Sequence, residues 1–230
     1  MKLQNILTID GKIKLETGLH IGAGDAEMHI GGIDNAVIKN PINNEPYIPG
    51  SSLKGKIRSL LEWRSGEVSE GPLTLKDASK SDEVKDILRL FGASADSKND
   101  EQLLQEIGVS RLAFWDCSLT EEWKQKAKED ILLLTEAKTE NTINRITATA
   151  EHPRQTERVP AGVEFKFQLT MRQFDGDNPA LEQLVLKGLR LLEMDSLGGS
   201  GSRGYGKVKF IDLKVNGRDE DLTQIKPFEK

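Results

Sequence analysis

The residues best suited to chemistry in this chain lie between Leu197 and Lys207. Five glycines and two serines there leave the backbone nearly free of side chains. A bulky polyanion can therefore rest directly on main-chain N–H groups. Arg203 and Lys207 add positive charge, with no acid among them. As a string, Gly199-x-Gly201-x-x-Gly204 matches the dinucleotide fingerprint. That fingerprint needs a strand before it and a helix after it. Here a helical pattern precedes the glycines (Ala180 to Met194) and a strand pattern follows them (Lys207 to Val215). The loop thus lacks the helix N-terminus that holds a pyrophosphate, and a longer phosphate backbone suits it better.

Three other places carry candidate groups. Gly50 to Lys56 has the P-loop spacing Gly-x-x-x-x-Gly-Lys, but Ile57 stands where a Ser or Thr must hold Mg²⁺. Gly55 and Lys56 also fall inside a helical pattern rather than ahead of it. Ser51, Ser52, Lys54 and Arg58 then lie near a helix N-terminus, with Lys54 and Arg58 four apart on one face. They either touch phosphates or form an ordinary solvated surface. His20 lies in a second flexible loop, Gly18 to Gly24, where it either meets a base or phosphate or is a plain loop histidine. Asp34 is a single carboxylate beside Gly31, Gly32 and Asn35. It reads as an Asp-Asn turn, or as an acid that binds Mg²⁺ or orients a ribose hydroxyl. One carboxylate makes no tight metal site by itself, so such a site needs substrate phosphates.

Composition narrows the setting. The 230 residues are enough to bury a real core. Cys117 is the only cysteine, which excludes an internal disulfide and a Cys-rich zinc site and suggests a cytoplasmic home. No apolar run reaches the ~20 residues of a membrane span, and no membrane partner is expected. The net charge of −5 is unevenly spread. Residues 67–106 hold ten acids against five bases, which accounts for the whole excess. Ser51–Arg64 and Gly198–Lys209 are basic. The pattern is a basic face with an acidic insertion elsewhere.

The elements that must position these groups follow from periodicity. Strands are expected over Asn5–Leu15, Arg111–Cys117, Val163–Met171 and Lys207–Val215. Helices are expected from Ser51 or Ser52, as the cap, to about Arg64, and over Ala180–Met194. Two short helices near Glu83–Phe91 and Glu101–Ile107 fill the acidic stretch, and a turn or two of helix covers Glu121–Lys128. The polar stretch Thr135–Pro160 is too long for a plain connection and reads as a projecting hairpin. Trp63, Trp115 and Trp123 are expected in the core. Without the insertions at 67–107 and 135–160 the order is β–α–β–β–α–β, an α+β ferredoxin-like core with the topology of RNA-recognition domains.

Five ordered motifs together resemble one family, the repeat-associated RNA-binding (RAMP) proteins of CRISPR systems. They are Gly18-Leu19-His20-Ile21-Gly22, Gly32-Ile33-Asp34-Asn35, Pro46 through Arg58, Glu140 through Thr147, and the glycine loop to Lys207. They span nearly the whole chain. Within that family the chain is most similar to the backbone endoribonuclease subunit of the type III-A Csm interference complex.

The resemblance implies a filament subunit on guide RNA that cleaves complementary target RNA at regular intervals. Its partners would be the guide, the target, other copies of itself and other Csm subunits, including the large polymerase-like one. The Thr135–Pro160 hairpin would be the thumb. Asp34 would be the catalytic residue and the ligand of a divalent metal, Mg²⁺ or Mn²⁺. RNA contacts would come from His20, Gly22, Ser51, Ser52, Lys54, Arg58, Ile143, Asn144, Arg145, Gly201, Ser202 and Arg203. The alternatives are a non-catalytic guide-binding subunit, a small-nucleotide enzyme and a guide-maturation nuclease.

Overall fold

The computed structural model describes residues 2–24, 35–93 and 101–229. β1 (Leu3–Leu15) leads to α1 (Gly50–Ser65). The acidic insertion follows, with a 3-10 turn (Leu75–Ser79), α2 (Asp82–Phe91) and α3 (Glu101–Ile107). β2 (Leu112–Phe114) and α4 (Glu121–Glu129) precede a hairpin of β3 (Glu136–Ile143) and β4 (Ala150–Arg158). β5 (Glu164–Phe174), α5 (Leu181–Met194), β6 (Val208–Val215) and β7 (Arg218–Asp219) complete the chain.

The main sheet runs β2–β5–β1–β6–β7, and every neighbouring pair is antiparallel. Its first four strands have the order that a ferredoxin-like β–α–β–β–α–β chain produces. Strict alternation makes the sheet one-sided. Leu7, Ile9, Ile13 and Leu15 of β1 are buried, as are Phe165, Phe167, Leu169 and Met171 of β5. On the other face, Lys12 stands directly opposite Lys166. The apolar face packs beneath α1 and α5. Those helices bury Leu53, Ile57 and Leu61, and Val185, Leu189 and Leu192. Each such side chain contributes about 1.5–3 kcal/mol. Gly188 lets the helices meet, because a Cβ there would stand 2.7 Å from Ile57 Cγ2.

Several expectations change. α1 starts at Gly50 after Pro49, and neither Ser51 nor Ser52 caps it; the Gly50 N–H instead donates to Asp116 Oδ1 at 2.7 Å. Pro49 holds the extended φ and ψ that an N-cap needs, so the helix begins before the serines. Trp63 and Trp115 are more than half exposed rather than in the core, while Trp123 packs against it. The last strand extends through a tight turn at Asn216-Gly217 into β7. That dipeptide is a strong hairpin signal. The insertion lies outside the sheet but is well anchored: Ile87, Leu90 and Phe91 of α2 join the main core, and Leu73, Leu75, Ala78, Val84, Leu88 and Ile107 form a second cluster.

Candidate nucleic-acid interface

Three segments converge at the base of the hairpin. The His20 loop pairs with the end of the hairpin, Leu19 and Val159 exchanging N–H···O bonds at 2.9 and 2.8 Å. The glycine loop is tied to the same segment, the Gly199 N–H donating to His20 O and the Gly206 N–H to Gly18 O, both at 2.9 Å. Two glycines are required for this approach. Gly198 has φ +75°, and a Cβ there would lie 2.3 Å from His20 O. Gly206 has φ +72°, and a Cβ would lie 1.9 Å from Leu197 O. Glycines expected to leave the backbone bare for a ligand thus serve the close packing of one loop on another.

Together these segments enclose a cleft of about 570 Å³. Its walls carry His20 and Asn35 on one side, Lys138, Glu140, Arg154 and Thr156 on the hairpin, and Ser200 and Arg203 on the glycine loop. The hairpin register explains its contribution: Lys138 pairs with Thr156 and Glu140 with Arg154, and residues two apart share a face.

Among the described residues the cleft is cationic, with one acid in it, Glu140. Glu140 accepts from Arg203 Nη1 at 2.8 Å and lies 3.3 Å from Lys138 Nζ. Burial pushes its carboxyl up, but Lys138, Tyr205 and Arg203 outweigh that and hold it below the usual carboxylate range. Arg154 makes no side-chain hydrogen bond or ion pair among the described residues. Tyr205 is buried under this surface, with Lys138 Nζ 4.3 Å and the Arg158 guanidinium 5.0 Å from its ring centre. Its hydroxyl lies beside Glu140 but makes no hydrogen bond of ordinary geometry, and burial and then Glu140 raise its pKa. His20 Nδ1 lies 2.7 Å from the Glu157 carbonyl. A carbonyl only accepts, so His20 Nδ1 carries a proton and donates it.

The expected site residues are therefore divided. His20 and Arg203 meet in the cleft, and Gly22 bridges to Val37 beside them. Gly201 and Ser202 form the short turn that presents Arg203. Ile143, Asn144 and Arg145 are at the hairpin tip, where Asn144 Oδ1 accepts from the N–H groups of Ile146 and Thr147. Ser51, Ser52 and Lys54 occupy the first turns of α1 and do not line the cleft. Arg58 turns inward: Nε donates to Glu62 at 2.7 Å, Nη1 to Gly92 O at 3.1 Å and Nη2 to Leu73 O at 2.6 Å. Its guanidinium clamps α1 to the insertion instead of facing a phosphate. Lys207 likewise points back to Glu193 O. Asp34 lies outside the described residues, as does most of the Leu19–Gly32 loop; the next residue, Asn35, lines the cleft.

Sequence reasoning named Glu140 only as the start of a family motif and missed Lys138, Arg154 and Glu157. The alternation of Lys138, Glu140 and Thr142 was a usable signal. Nothing in the sequence pointed to Glu157. Among the described residues no group of three His, Cys, Asp or Glu side chains could hold a metal. Cys117 is buried, and burial pushes its thiol up to about 12, which excludes a thiolate nucleophile. No helix among the described residues is long and apolar enough to cross a membrane.

Comparison with known proteins agrees with this architecture. The profile of the RAMP superfamily matches residues 12–209. The "CRISPR system Cms endoribonuclease Csm3" of Methanothermobacter thermautotrophicus is 42% identical over 228 residues, covering 95% of this chain and 89% of that protein. The protein of the same name from Streptococcus thermophilus is 45% identical over 213 residues, covering 91% of this chain and 89% of its own length. Among solved structures, a chain of the Csm3–Csm4 subcomplex of the type III-A CRISPR-Cas interference complex superposes with a TM-score of 0.55 at 28% identity, over 94% of this chain and 80% of that one. The chain belongs to the RAMP superfamily and groups there with the Csm3 endoribonucleases.

Proposed function

We propose that this chain is the RNA-cleaving backbone subunit of a type III-A Csm complex. It binds guide RNA in series with further copies of itself and with other Csm subunits, including the large polymerase-like one, and cuts paired target RNA at regular intervals. The cation-walled cleft between the projecting hairpin and the glycine loop carries this reading, and the names of its relatives support it. Base pairing supplies sequence recognition in such a complex, so the protein needs only backbone and shape contacts. Arg154, Arg203 and Lys138 offer those contacts, and among the described residues no Phe, Tyr or Trp lines the cleft.

Cleavage is assigned to Asp34, whose chain continues directly into cleft-lining Asn35. Its carboxylate would orient either the ribose 2′-hydroxyl beside the scissile phosphate or an attacking water. Cations on both sides of the cleft hold the backbone and stabilise charge on the phosphate. The described residues do not form a metal site of their own: the carboxylate in the cleft, Glu140, is already taken by Arg203 and Lys138. Dependence on Mg²⁺ or Mn²⁺ would rest on Asp34 with RNA phosphates.

The test uses assembled complex and end-labelled target RNA. Asp34→Ala is expected to keep guide binding and assembly and to abolish the evenly spaced products; cutting at the wild-type rate would overturn the assignment. Adding EDTA is expected to stop cutting without releasing guide RNA. Unchanged cutting in EDTA would remove the metal from the reading.

A further inference from the structure

We propose that Glu157 is the positioning residue of this cleft, holding the segment that continues from Asp34 in register with His20 and the hairpin base. This rests on the RNA-cleavage reading above.

Glu157 lies near the end of β4, and it is the one buried residue in that strand, 7% exposed. Its carboxylate gathers three donors. Oε1 accepts from Lys39 Nζ and from Thr135 Oγ1, both at 2.6 Å, and Oε2 accepts from the Val37 N–H at 2.9 Å. Its main chain makes two more links: the N–H donates to Asn35 O at 3.0 Å, and the carbonyl accepts from His20 Nδ1 at 2.7 Å. One residue thus joins the His20 loop, the Asn35–Lys39 segment and the entry to β3 at Thr135.

A buried acid in an otherwise exposed strand is not explained by core stability. An ion pair of this kind is often replaceable by apolar residues without loss. What the carboxylate supplies is direction, because each donor comes from a different part of the cleft wall. The Asn35–Lys39 segment is held from Val37 and Lys39 by the side chain and from Asn35 by the main chain. Removing the side-chain links leaves the main-chain links to Asn35 and His20 in place. The cleft then still forms, but the segment leaving Asp34 loses two of its three ties to Glu157. Catalytic geometry is sensitive to such slack, since a displacement of about 1 Å can cost on the order of 100-fold in rate.

The experiment measures single-turnover cleavage of saturating labelled target by assembled complex. Glu157→Gln places an amide NH₂ against donors and removes the charge. It is expected to slow cleavage about 10–100-fold, with complex size and the affinities for guide and target unchanged. Lys39→Met, which keeps the carboxylate with its Thr135 and Val37 donors, is expected to slow cleavage by a smaller factor. The double variant is expected to be no slower than Glu157→Gln alone, because both act through one link. Wild-type rates in both single variants overturn the proposal. So does a loss of RNA affinity or assembly in step with the loss of rate, which marks a purely structural role. If Glu157→Gln does not assemble, Lys39→Met decides by the same criteria. Asp34→Ala runs in parallel. Should it cut normally, the cleavage reading fails; should it be inactive while Glu157→Gln and Lys39→Met cut normally, only the positioning role fails.

Discussion

Arg203 in the glycine loop and Glu140 in β3 hold each other across the cleft, Nη1 to Oε2 at 2.8 Å. Arg203 is mostly exposed, so the pair adds little to stability. Its effect is to occupy cations that an RNA phosphate would use. Arg203→Ala is expected to weaken guide RNA binding and to lower the slope of log affinity against log salt by about 1. Glu140→Gln frees Arg203 and Lys138 and is expected to tighten binding and steepen that slope. Filter binding between about 50 and 200 mM salt reads both, and melting temperatures should stay unchanged.

Arg58 and Lys54 share a helix and are expected to differ in kind. Arg58→Ala leaves the buried Glu62 carboxylate without its cation and the carbonyls of Leu73 and Gly92 without a donor. A cost of about 3–5 kcal/mol is expected in chemical denaturation, with little change in the salt dependence of RNA binding. Lys54 has no such partners among the described residues; burial and then Arg58 lower its pKa. Lys54→Ala is expected to leave stability within about 0.5 kcal/mol and to reduce RNA affinity.

Two glycines in one loop separate packing from conformational strain. Gly204 and Gly206 both have positive φ, at +83° and +72°, but a Cβ on Gly204 meets nothing within 4 Å whereas one on Gly206 collides with Leu197 O at 1.9 Å. Gly204→Ala is expected to cost about 1–2 kcal/mol, the strain of a left-handed residue. Gly206→Ala adds a backbone clash and is expected to cost more than about 3 kcal/mol. It should also disturb His20, because Gly206 bonds to Gly18 O in the same loop. Thermal melts of the two variants provide the comparison.

Acid should weaken the Glu157 junction. Burial pushes this carboxyl up, but Lys39, Thr135 and the Val37 N–H outweigh burial and set it below its ordinary value. A folded value below the unfolded one means that the stabilisation is complete above the unfolded value and disappears as pH falls through the folded one. The melting-temperature gap between the wild type and Glu157→Gln should be widest near neutrality. It should close as pH drops below about 4. A gap that persists at low pH would show that the carboxylate charge is not what joins these segments.

The core strands and helices were legible in the sequence because their signal is local. Val163, Phe165, Phe167, Leu169 and Met171 alternate, and burial of one sheet face is enough to impose that pattern. Asn216-Gly217 carried its turn signal just as openly. The inward turn of Arg58 was not legible, because spacing on a helix shows which residues share a face, not whether that face meets solvent or a packed insertion. The two exposed tryptophans show the same gap between residue type and surroundings.

By its order of motifs and alternation alone, the chain determined its ferredoxin-like core, its projecting hairpin and its glycine loop, since each depends on near neighbours. Only the tertiary structure decided that Glu157 faces inward, that Glu140 neutralises Arg203, and that the glycines serve loop-on-loop packing as well as openness. Those facts join residues far apart along the chain, from His20 to Glu157 and from Glu140 to Arg203. Which distant donor meets which acceptor depends on how hairpin, loop and sheet settle together, and no local pattern encodes that distance.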